Sequence, residues 1–297
     1  MTEKAHTKRE KEQRAGPKLV MPSPRYYRLV THIVRNIAGQ PGPMICIVYG
    51  PPGEGKTTGI SFAAQSTGTE VFAPHPGLFE SDKAGHPARL FRNIYGEAAE
   101  VIRGQHPKLC KGGKKKPAAI VIEDADKVLG RFPDTHYTVN GQHLCGLMQA
   151  LCDDPSRVFR RPMPRIPLLL SCNDLTVLPE SIRRHGRADL ISWRLSHEER
   201  VQIVSGMYPL ISPDDIENLV LSHASEPIAF FVELRRRWID RQSQSFFREI
   251  KPRQALQLAL DGKWKVTVPE PKAADLCLLA QEMQLCTSPL SDEEEQG

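Results

Sequence analysis

The sequence lacks a long apolar run, and its cysteines are not closely paired. Its longest apolar segments, such as Ile45–Tyr49 and Ala118–Ile122, fall far short of the roughly 20 residues that a membrane-spanning helix needs. The charged N-terminal segment also lacks the apolar stretch of a secretory signal. The seven cysteines are odd in number and form no C-x-x-C pair, so no zinc motif is visible and a reduced setting is indicated. We therefore expect a cytoplasmic protein without membrane contact.

Neither sign of charge dominates, because the formal net charge is only +5 over 297 residues, but the charges are unevenly distributed. Residues 1–20 carry six lysines and arginines against three glutamates, whereas the last ten residues carry four acids and no base. Such composition is typical of solvated, disordered ends, and contact with nucleic acid or an acidic partner is the alternative. Lys111–Lys116 adds a basic loop inside the chain, which leaves nucleic acid open as a partner.

Apolar runs of strand length alternate with helical patterns up to about residue 195, and only helical periodicity follows. The strand candidates are Met44–Tyr49, Thr69–Ala73, Ala118–Ile122, Ile166–Cys172 and Leu190–Trp193. Five strands joined by helical crossovers predict a mostly parallel sheet with helices on both faces. The fold class is therefore α/β, followed by a smaller all-helical part.

A glycine-rich loop follows the first predicted strand and precedes a helical stretch. It matches the phosphate-binding pattern G-x-x-x-x-G-K-[ST], in which backbone N–H groups form an anion nest. Lys56 is expected to reach the β- and γ-phosphates of ATP, and the Thr57 hydroxyl is expected to ligate Mg²⁺. The predicted nucleotide-binding residues are Gly50, Pro51, Pro52, Gly53, Glu54, Gly55, Lys56, Thr57 and Thr58.

Further polar residues follow the third and fourth predicted strands. Glu123 and Asp124 come directly after Ala118–Ile122, where acids hold Mg²⁺ and polarise the attacking water in such enzymes. Their order is inverted relative to the usual Asp then Glu, so the division of roles between them stays open. Asn173 ends the fourth strand and is a candidate for holding that water or contacting the γ-phosphate; a simple turn is the alternative.

Three arginines cluster around Gly186, between the fourth and fifth predicted strands. Arg183, Arg184 and Arg187 are candidates for binding phosphate, because a guanidinium group donates two hydrogen bonds to one phosphate. The alternative is a solvated basic end of a helix.

The ordered set GPPGEGKT, IVIEDAD, LLSCND and SIRRHGR resembles the AAA+ ATPase family. Over roughly residues 25 to 285 the chain further resembles the plant-type rubisco activase AAA+ module, for example in EPIAFFVELRRRWID. The resemblance implies a homo-oligomer, usually a hexamer, in which Arg184 and Arg187 reach the ATP of a neighbouring subunit. It also implies that Arg235 contacts nucleotide from a helical lid, and that Leu78–Pro87 and Phe132–Asn140 face a central channel.

The predicted organisation is a basic head over residues 1–24, a nucleotide-binding α/β subdomain over 25–195, a helical lid over 196–262 and a C-terminal extension with the acidic tail over 263–297. Plant-type activases carry an additional N-terminal domain, and only about 24 mostly basic residues precede the first helix of the resemblance here. Shared machinery therefore does not by itself make rubisco the client. A motor acting on a protein, an ATP-dependent nucleic-acid-associated switch or loader, and an ATP-assembled scaffold with weak hydrolysis all stay open.

Overall fold

The computed structural model describes residues 19–21, 23–79, 81, 83–130, 139–263 and 268–287. The described chain divides into two compact units, one formed by Met21–Arg194 and one that contains the residues from Leu195 onward. Most of the predicted head, the acidic tail and the greater part of the segment Phe132–Asn140 lie outside the described residues. No helix in the described ranges is long and apolar enough to cross a membrane.

The first unit is built on a five-stranded sheet in the order β2-β3-β4-β1-β5. Its strands are β1 (Ile45–Tyr49), β2 (Glu70–Phe72), β3 (Ala118–Ile122), β4 (Leu168–Cys172) and β5 (Ala188–Ser192). All four strand pairings are parallel, and in the centre Ile47 of β1 pairs with Leu170 of β4 and Leu190 of β5. The fold class predicted from the sequence, a parallel five-stranded α/β sheet followed by helices, is confirmed.

Helices cover both faces of this sheet. They are α1 (Ser23–Ile37), α2 (Lys56–Ser66), α3 (His86–Arg103), α4 (Ala125–Leu129), α5 (Val139–Asp153), α6 (Pro155–Phe159) and α7 (Glu180–Arg183). On one face Ile47 and Ile120 pack in a core with Phe91 and Tyr95 of α3. Burial on both faces explains why β1, β3 and β4 are nearly continuous apolar runs rather than alternating ones.

The second unit is helical where it is described. Its helices are α8 (His197–Met207), α9 (Pro213–Ser222), α10 (Ile228–Glu249), α11 (Pro252–Leu260) and α12 (Ala273–Thr287). Ser196 caps α8 with a reciprocal hydrogen-bonded box that includes Glu199, and Ser212 caps α9. Leu276 and Leu279 of α12 pack in the same core as Phe231 and Leu234 of α10. The segment predicted to be a C-terminal extension, residues 263–297, thus supplies part of the core of this unit.

A buried histidine joins α1 to the loop that precedes β1. The Nε2–H of His32 donates to the carbonyl oxygen of Met44 at 3.2 Å, while Nδ1 accepts from Arg35 at 3.3 Å. His32 is fully buried, and Arg35 places positive charge beside it. Burial first and the Arg35 charge second lower the pKa of His32 to about 4, so the ring is neutral at pH 7.

This neutral histidine predicts an acid-sensitive fold. Because the pKa is lower in the folded state than in the unfolded state, protons bind preferentially to the unfolded chain between about pH 6.5 and 4. We expect His32 to lower the free energy of unfolding by roughly 2 kcal/mol between pH 7 and pH 5. Urea unfolding of wild type and His32→Gln at both pH values measures this, and an equal loss in the two proteins would contradict it.

Candidate functional site

The phosphate-binding loop between β1 and α2 has the backbone geometry that its sequence pattern requires. The backbones of Gly53 and Gly55 lie in the left-handed region, at φ 74° and 82°, which residues other than glycine disfavour. A Cβ on Gly50 would lie 2.8 Å from the carbonyl oxygen of Trp193, so the loop and the end of β5 approach too closely for any side chain. No side chain caps the first turn of α2, whose N-terminus is therefore open to an anion.

Trp193 supports this loop from below. Its backbone N–H donates to Tyr49 at 2.7 Å, and its indole Nε1–H donates to the carbonyl oxygen of Glu54 at 2.8 Å. The ring lies against α2 at Gly59, where an added Cβ would approach the indole Cη2 atom to 2.3 Å. Trp193 and Gly59 were not among the predicted site residues, although a glycine inside a helix was the available signal.

Lys56 connects the loop to the end of β4. Its Nζ atom donates to the carbonyl oxygens of Gly50 at 2.9 Å and Pro51 at 2.8 Å, and to Asn173 Oδ1 at 2.8 Å. Lys56 is 8% exposed, and its burial lowers the pKa of the ammonium group. The structure thus brings the predicted residues Lys56 and Asn173 into direct contact.

Three acids follow β3, and they differ sharply in environment. Glu123 is exposed, and Asp124 pairs with Lys127 at 2.7 Å across the surface. Asp124 also adopts a left-handed backbone, with φ 47° and ψ 47°, an uncommon conformation that clusters at functional sites. The third acid, Asp126, is buried at 7% exposure. Glu123 and Asp124 were the predicted pair, whereas Asp126 was not selected.

Asp126 holds the backbone at the end of β4. Its Oδ2 atom accepts the backbone N–H of Asn173 at 3.1 Å, and its Oδ1 atom is buried with no hydrogen-bond partner among the described residues. The Asp126 carboxylate also raises the pKa of Lys56, opposing the effect of burial. A connected group formed by Lys56, Asn173 and Asp126 therefore spans the ends of β1, β4 and β3. The D-x-D spacing of Asp124 and Asp126 was the signal for this third acid.

The structure does not bring Arg184 and Arg187 to Lys56. Both precede β5, and the Arg187 carbonyl accepts the N–H of Ile45 at the start of β1. They therefore lie at the N-terminal ends of the strands, whereas the loop follows the C-terminal end of β1. Arg184 is exposed, whereas Arg187 pairs with Asp153 at 3.2 Å and donates to the Ser181 carbonyl at 3.1 Å.

Arg235 lies on α10 in the helical unit. It forms a two-pronged ion pair with Glu270, with distances of 2.8 and 2.9 Å, and donates to the Met207 carbonyl at 2.9 Å. The hydrogen bonds that Arg235 donates to Glu270 raise the pKa of its guanidinium group. Its predicted contact with nucleotide stays a prediction.

Most of the first unit matches a known family. Residues 46–194 match the family described as ATPase family associated with various cellular activities (AAA), which is half of the chain. The protein belongs to this AAA ATPase family, as the sequence resemblance predicted, and the ATP-binding loop is a family feature.

The curated relatives are named as activases of ribulose bisphosphate carboxylase/oxygenase. One from a strain of Anabaena is 34% identical over 241 residues, covering 77% of this chain and 56% of that protein. A chloroplastic one from Chlamydomonas reinhardtii is 28% identical over 255 residues, covering 82% and 60%, and one from Cucumis sativus is 32% identical over 225 residues, covering 72% and 52%. The chain thus matches between half and three fifths of the length of these relatives.

Proposed function

We propose that this protein is an ATPase that binds Mg-ATP at the loop between β1 and α2, assembles into an oligomer, and uses hydrolysis to remodel a protein client. The observation that carries the proposal is the connected group of Lys56, Asn173 and Asp126. It joins the phosphate-binding loop to the carboxyl ends of two further parallel strands. Ligands bind at the carboxyl ends of the strands in open α/β sheets. Membership of the AAA ATPase family supports the hydrolysis of ATP.

The residues present fit a triphosphate and its metal ion. The open N-terminus of α2 and the Lys56 ammonium group favour phosphate oxygens, and Gly53 and Gly55 give the loop the left-handed turns that its backbone needs. Thr57, Glu123 and Asp124 are the proposed Mg²⁺ residues, with the buried Asp126 as an additional acid nearby. Bound Mg²⁺ would neutralise charge that develops on the phosphates during hydrolysis. Asn173 would then orient water or contact the γ-phosphate.

The position of the arginines supports the proposed assembly. Because Arg184 lies at the opposite ends of the strands from its own loop, we propose that it contacts the ATP of a neighbouring copy. Its exposure and its lack of an ion pair among the described residues suit that role. Arg187 would instead stabilise the turn that carries Arg184, because its backbone N–H donates to the Arg184 carbonyl at 3.2 Å. The Arg187 side chain is in turn held by Asp153 and the Ser181 carbonyl. A hexamer is the assembly that we propose, and Arg235 would reach nucleotide after leaving Glu270.

The proposed client is a protein complex, for which rubisco is the example contained in the names of the relatives. Steady-state ATP hydrolysis by the full chain, with Mg²⁺ and with EDTA, tests the enzyme activity. Adding rubisco to the same assay tests the client, because a remodelling ATPase is expected to change its turnover when its client is present. Hydrolysis that requires Mg²⁺ supports the ATPase, whereas nucleotide binding without turnover would instead favour an ATP-assembled scaffold.

Asp126→Asn should reduce kcat by about 10–100-fold with a much smaller effect on KM, by analogy with residues that orient metal ligands. The substitution preserves shape but removes the charge that fixes the Asn173 backbone and faces Lys56. Initial rates over a range of ATP concentrations separate the two constants.

The matched control is Asp240→Asn, which removes an exposed acid of the helical unit that pairs with Arg236. It should leave both constants unchanged. A kcat for Asp126→Asn within threefold of wild type, in a protein whose circular dichroism is normal, would show that Asp126 is dispensable for turnover.

A further inference from the structure

Two basic segments precede neighbouring strands of the sheet. Residues 104–117 lead into β3, and residues 155–167 lead into β4; neither segment contains an acidic residue. Together they carry nine cationic side chains, namely Lys108, Lys111, Lys114, Lys115, Lys116, Arg157, Arg160, Arg161 and Arg165. We call these two segments the basic edge.

The two segments lie side by side. They precede β3 and β4, which pair directly, and the N–H of Ile120 donates to the Pro167 carbonyl at 3.0 Å. Arg103, the last residue of α3, directly precedes the first segment and contacts the second. It donates to the Pro162 carbonyl and to the sulfur of Met163, the latter at 3.4 Å. The next residue, Gly104, is so close to Gly113 that an added Cβ would lie 2.3 Å from its carbonyl oxygen. The basic edge is therefore one continuous surface.

Most of this positive charge is not neutralised. Within the described ranges, Lys116 pairs with Glu70 at 3.7 Å and Arg157 with Asp154 at 3.4 Å, and Arg165 donates to the Gly42 carbonyl at 2.8 Å. The remaining six cations are exposed and form no ion pair with a described residue: Lys108, Lys111, Lys114, Lys115, Arg160 and Arg161. Six uncompensated cations on one surface attract a polyanion.

The surface is also poor in the side chains that make protein interfaces. Of the large hydrophobic side chains that are exposed in the described ranges, none belongs to either segment. Protein–protein interfaces are enriched in aromatic residues, methionine and arginine and depleted in lysine, whereas binding to a nucleic-acid backbone relies on both lysine and arginine contacts to phosphates. The chemistry of the basic edge thus favours nucleic acid over an acidic protein.

We propose that the basic edge binds the phosphate backbone of nucleic acid without reading its sequence. The segments lie at the N-terminal ends of β3 and β4, whereas the nucleotide site lies at the C-terminal ends. Five-residue strands separate these ends by about 16 Å, at roughly 3.3 Å per residue. Nucleic acid and ATP therefore bind at opposite ends of the strands. This proposal does not depend on the proposed ATPase activity.

The test is fluorescence anisotropy of the full chain with a labelled 30-base-pair DNA duplex and with a 30-nucleotide RNA, from 50 to 200 mM salt. If six cations engage duplex phosphates, the logarithm of the affinity should fall with the logarithm of salt at a slope of about −5. Lys111→Ala/Lys114→Ala/Lys115→Ala should make that slope shallower by about 3 and weaken binding at least tenfold at 50 mM salt, since each lost contact contributes about 0.9 to the slope. Binding of both probes indicates backbone recognition in general, and binding of one identifies which backbone is preferred.

The matched control removes three exposed cations elsewhere, in Lys251→Ala/Arg253→Ala/Lys272→Ala, with the same change in net charge. It should bind nearly as wild type does. Equal weakening in the two triple variants, or unchanged binding in the first, would assign binding to net charge or to the basic residues 1–18 and overturn the proposal. Binding of polyglutamate that depends on the basic edge, without binding of DNA or RNA, would overturn it too. Normal circular dichroism spectra of both variants exclude misfolding as the cause.

Discussion

Lys56→Ala should weaken ATP binding by at least about 100-fold and abolish hydrolysis. The Lys56 ammonium group is the cation in the phosphate-binding loop, and a charge-assisted hydrogen bond in such a partly buried place contributes about 1.5–3 kcal/mol. A loss of about 2.7 kcal/mol corresponds to 100-fold in affinity. Titration with a fluorescent ATP analogue measures binding, and phosphate release measures turnover.

Truncation at this position also leaves the acceptors on Gly50, Pro51 and Asn173 without their donor, so a second variant is needed. Lys56→Met retains the aliphatic stem and removes only the charge, and it should lose ATP binding to the same degree. The exposed Lys251→Ala is the control for general loss of a lysine. ATP affinity retained within threefold in Lys56→Met would show that the loop does not bind phosphate through this residue.

Arg184→Ala should reduce hydrolysis by about 10³-fold or more while ATP binding changes little, because an arginine supplied to a neighbouring site acts on the transition-state charge. Mixing this variant with Asp124→Asn should restore part of the activity. In a mixed assembly, an Arg184→Ala subunit has an intact site of its own and receives Arg184 from an adjacent Asp124→Asn subunit. Phosphate release from the mixture, compared with each variant alone, measures the recovery.

The control for this mixture is Arg253→Ala, which removes an exposed arginine of α11 and should retain full activity alone. A mixture of Arg184→Ala with Lys56→Ala should recover in the same way as the mixture with Asp124→Asn, because both partners are defective only in their own site. No recovery in either mixture, with assembly verified by light scattering, would argue that Arg184 does not act on a neighbouring copy.

The sheet was predictable from the sequence because its strands are buried on both faces. Ala118–Ile122 appears as an unbroken apolar run with the same bounds in the structure, whereas β2 is shorter than its predicted Thr69–Ala73. At β5 the predicted Leu190–Trp193 begins and ends later than the observed Ala188–Ser192. After the strand, the Trp193 indole N–H donates to the Glu54 carbonyl in the loop, a contact between residues 139 positions apart that no local pattern reveals.

The site was predictable only where a contiguous motif carries it. The loop residues from Gly50 to Thr57 follow a spaced pattern, and Asn173 follows from its place after an apolar strand. Asp126 was not predicted, because its importance comes from its burial and from its hydrogen bond with the backbone N–H of Asn173, 47 residues away. The different states of Arg184 and Arg187 likewise depend on Asp153, which belongs to another helix. Such contacts are set by the tertiary fold rather than by local spacing.

We propose that this protein hydrolyses ATP at a site that a neighbouring copy completes. The most direct test is the rate of Mg-ATP hydrolysis per subunit, measured over a hundredfold range of protein concentration. We expect the specific rate to rise steeply with concentration and to level off when assembly, followed by light scattering, is complete. A specific rate that is independent of concentration while the protein passes from monomer to oligomer would show that a neighbouring copy does not complete the site. The absence of hydrolysis in the assembled protein would show that it is not an ATPase.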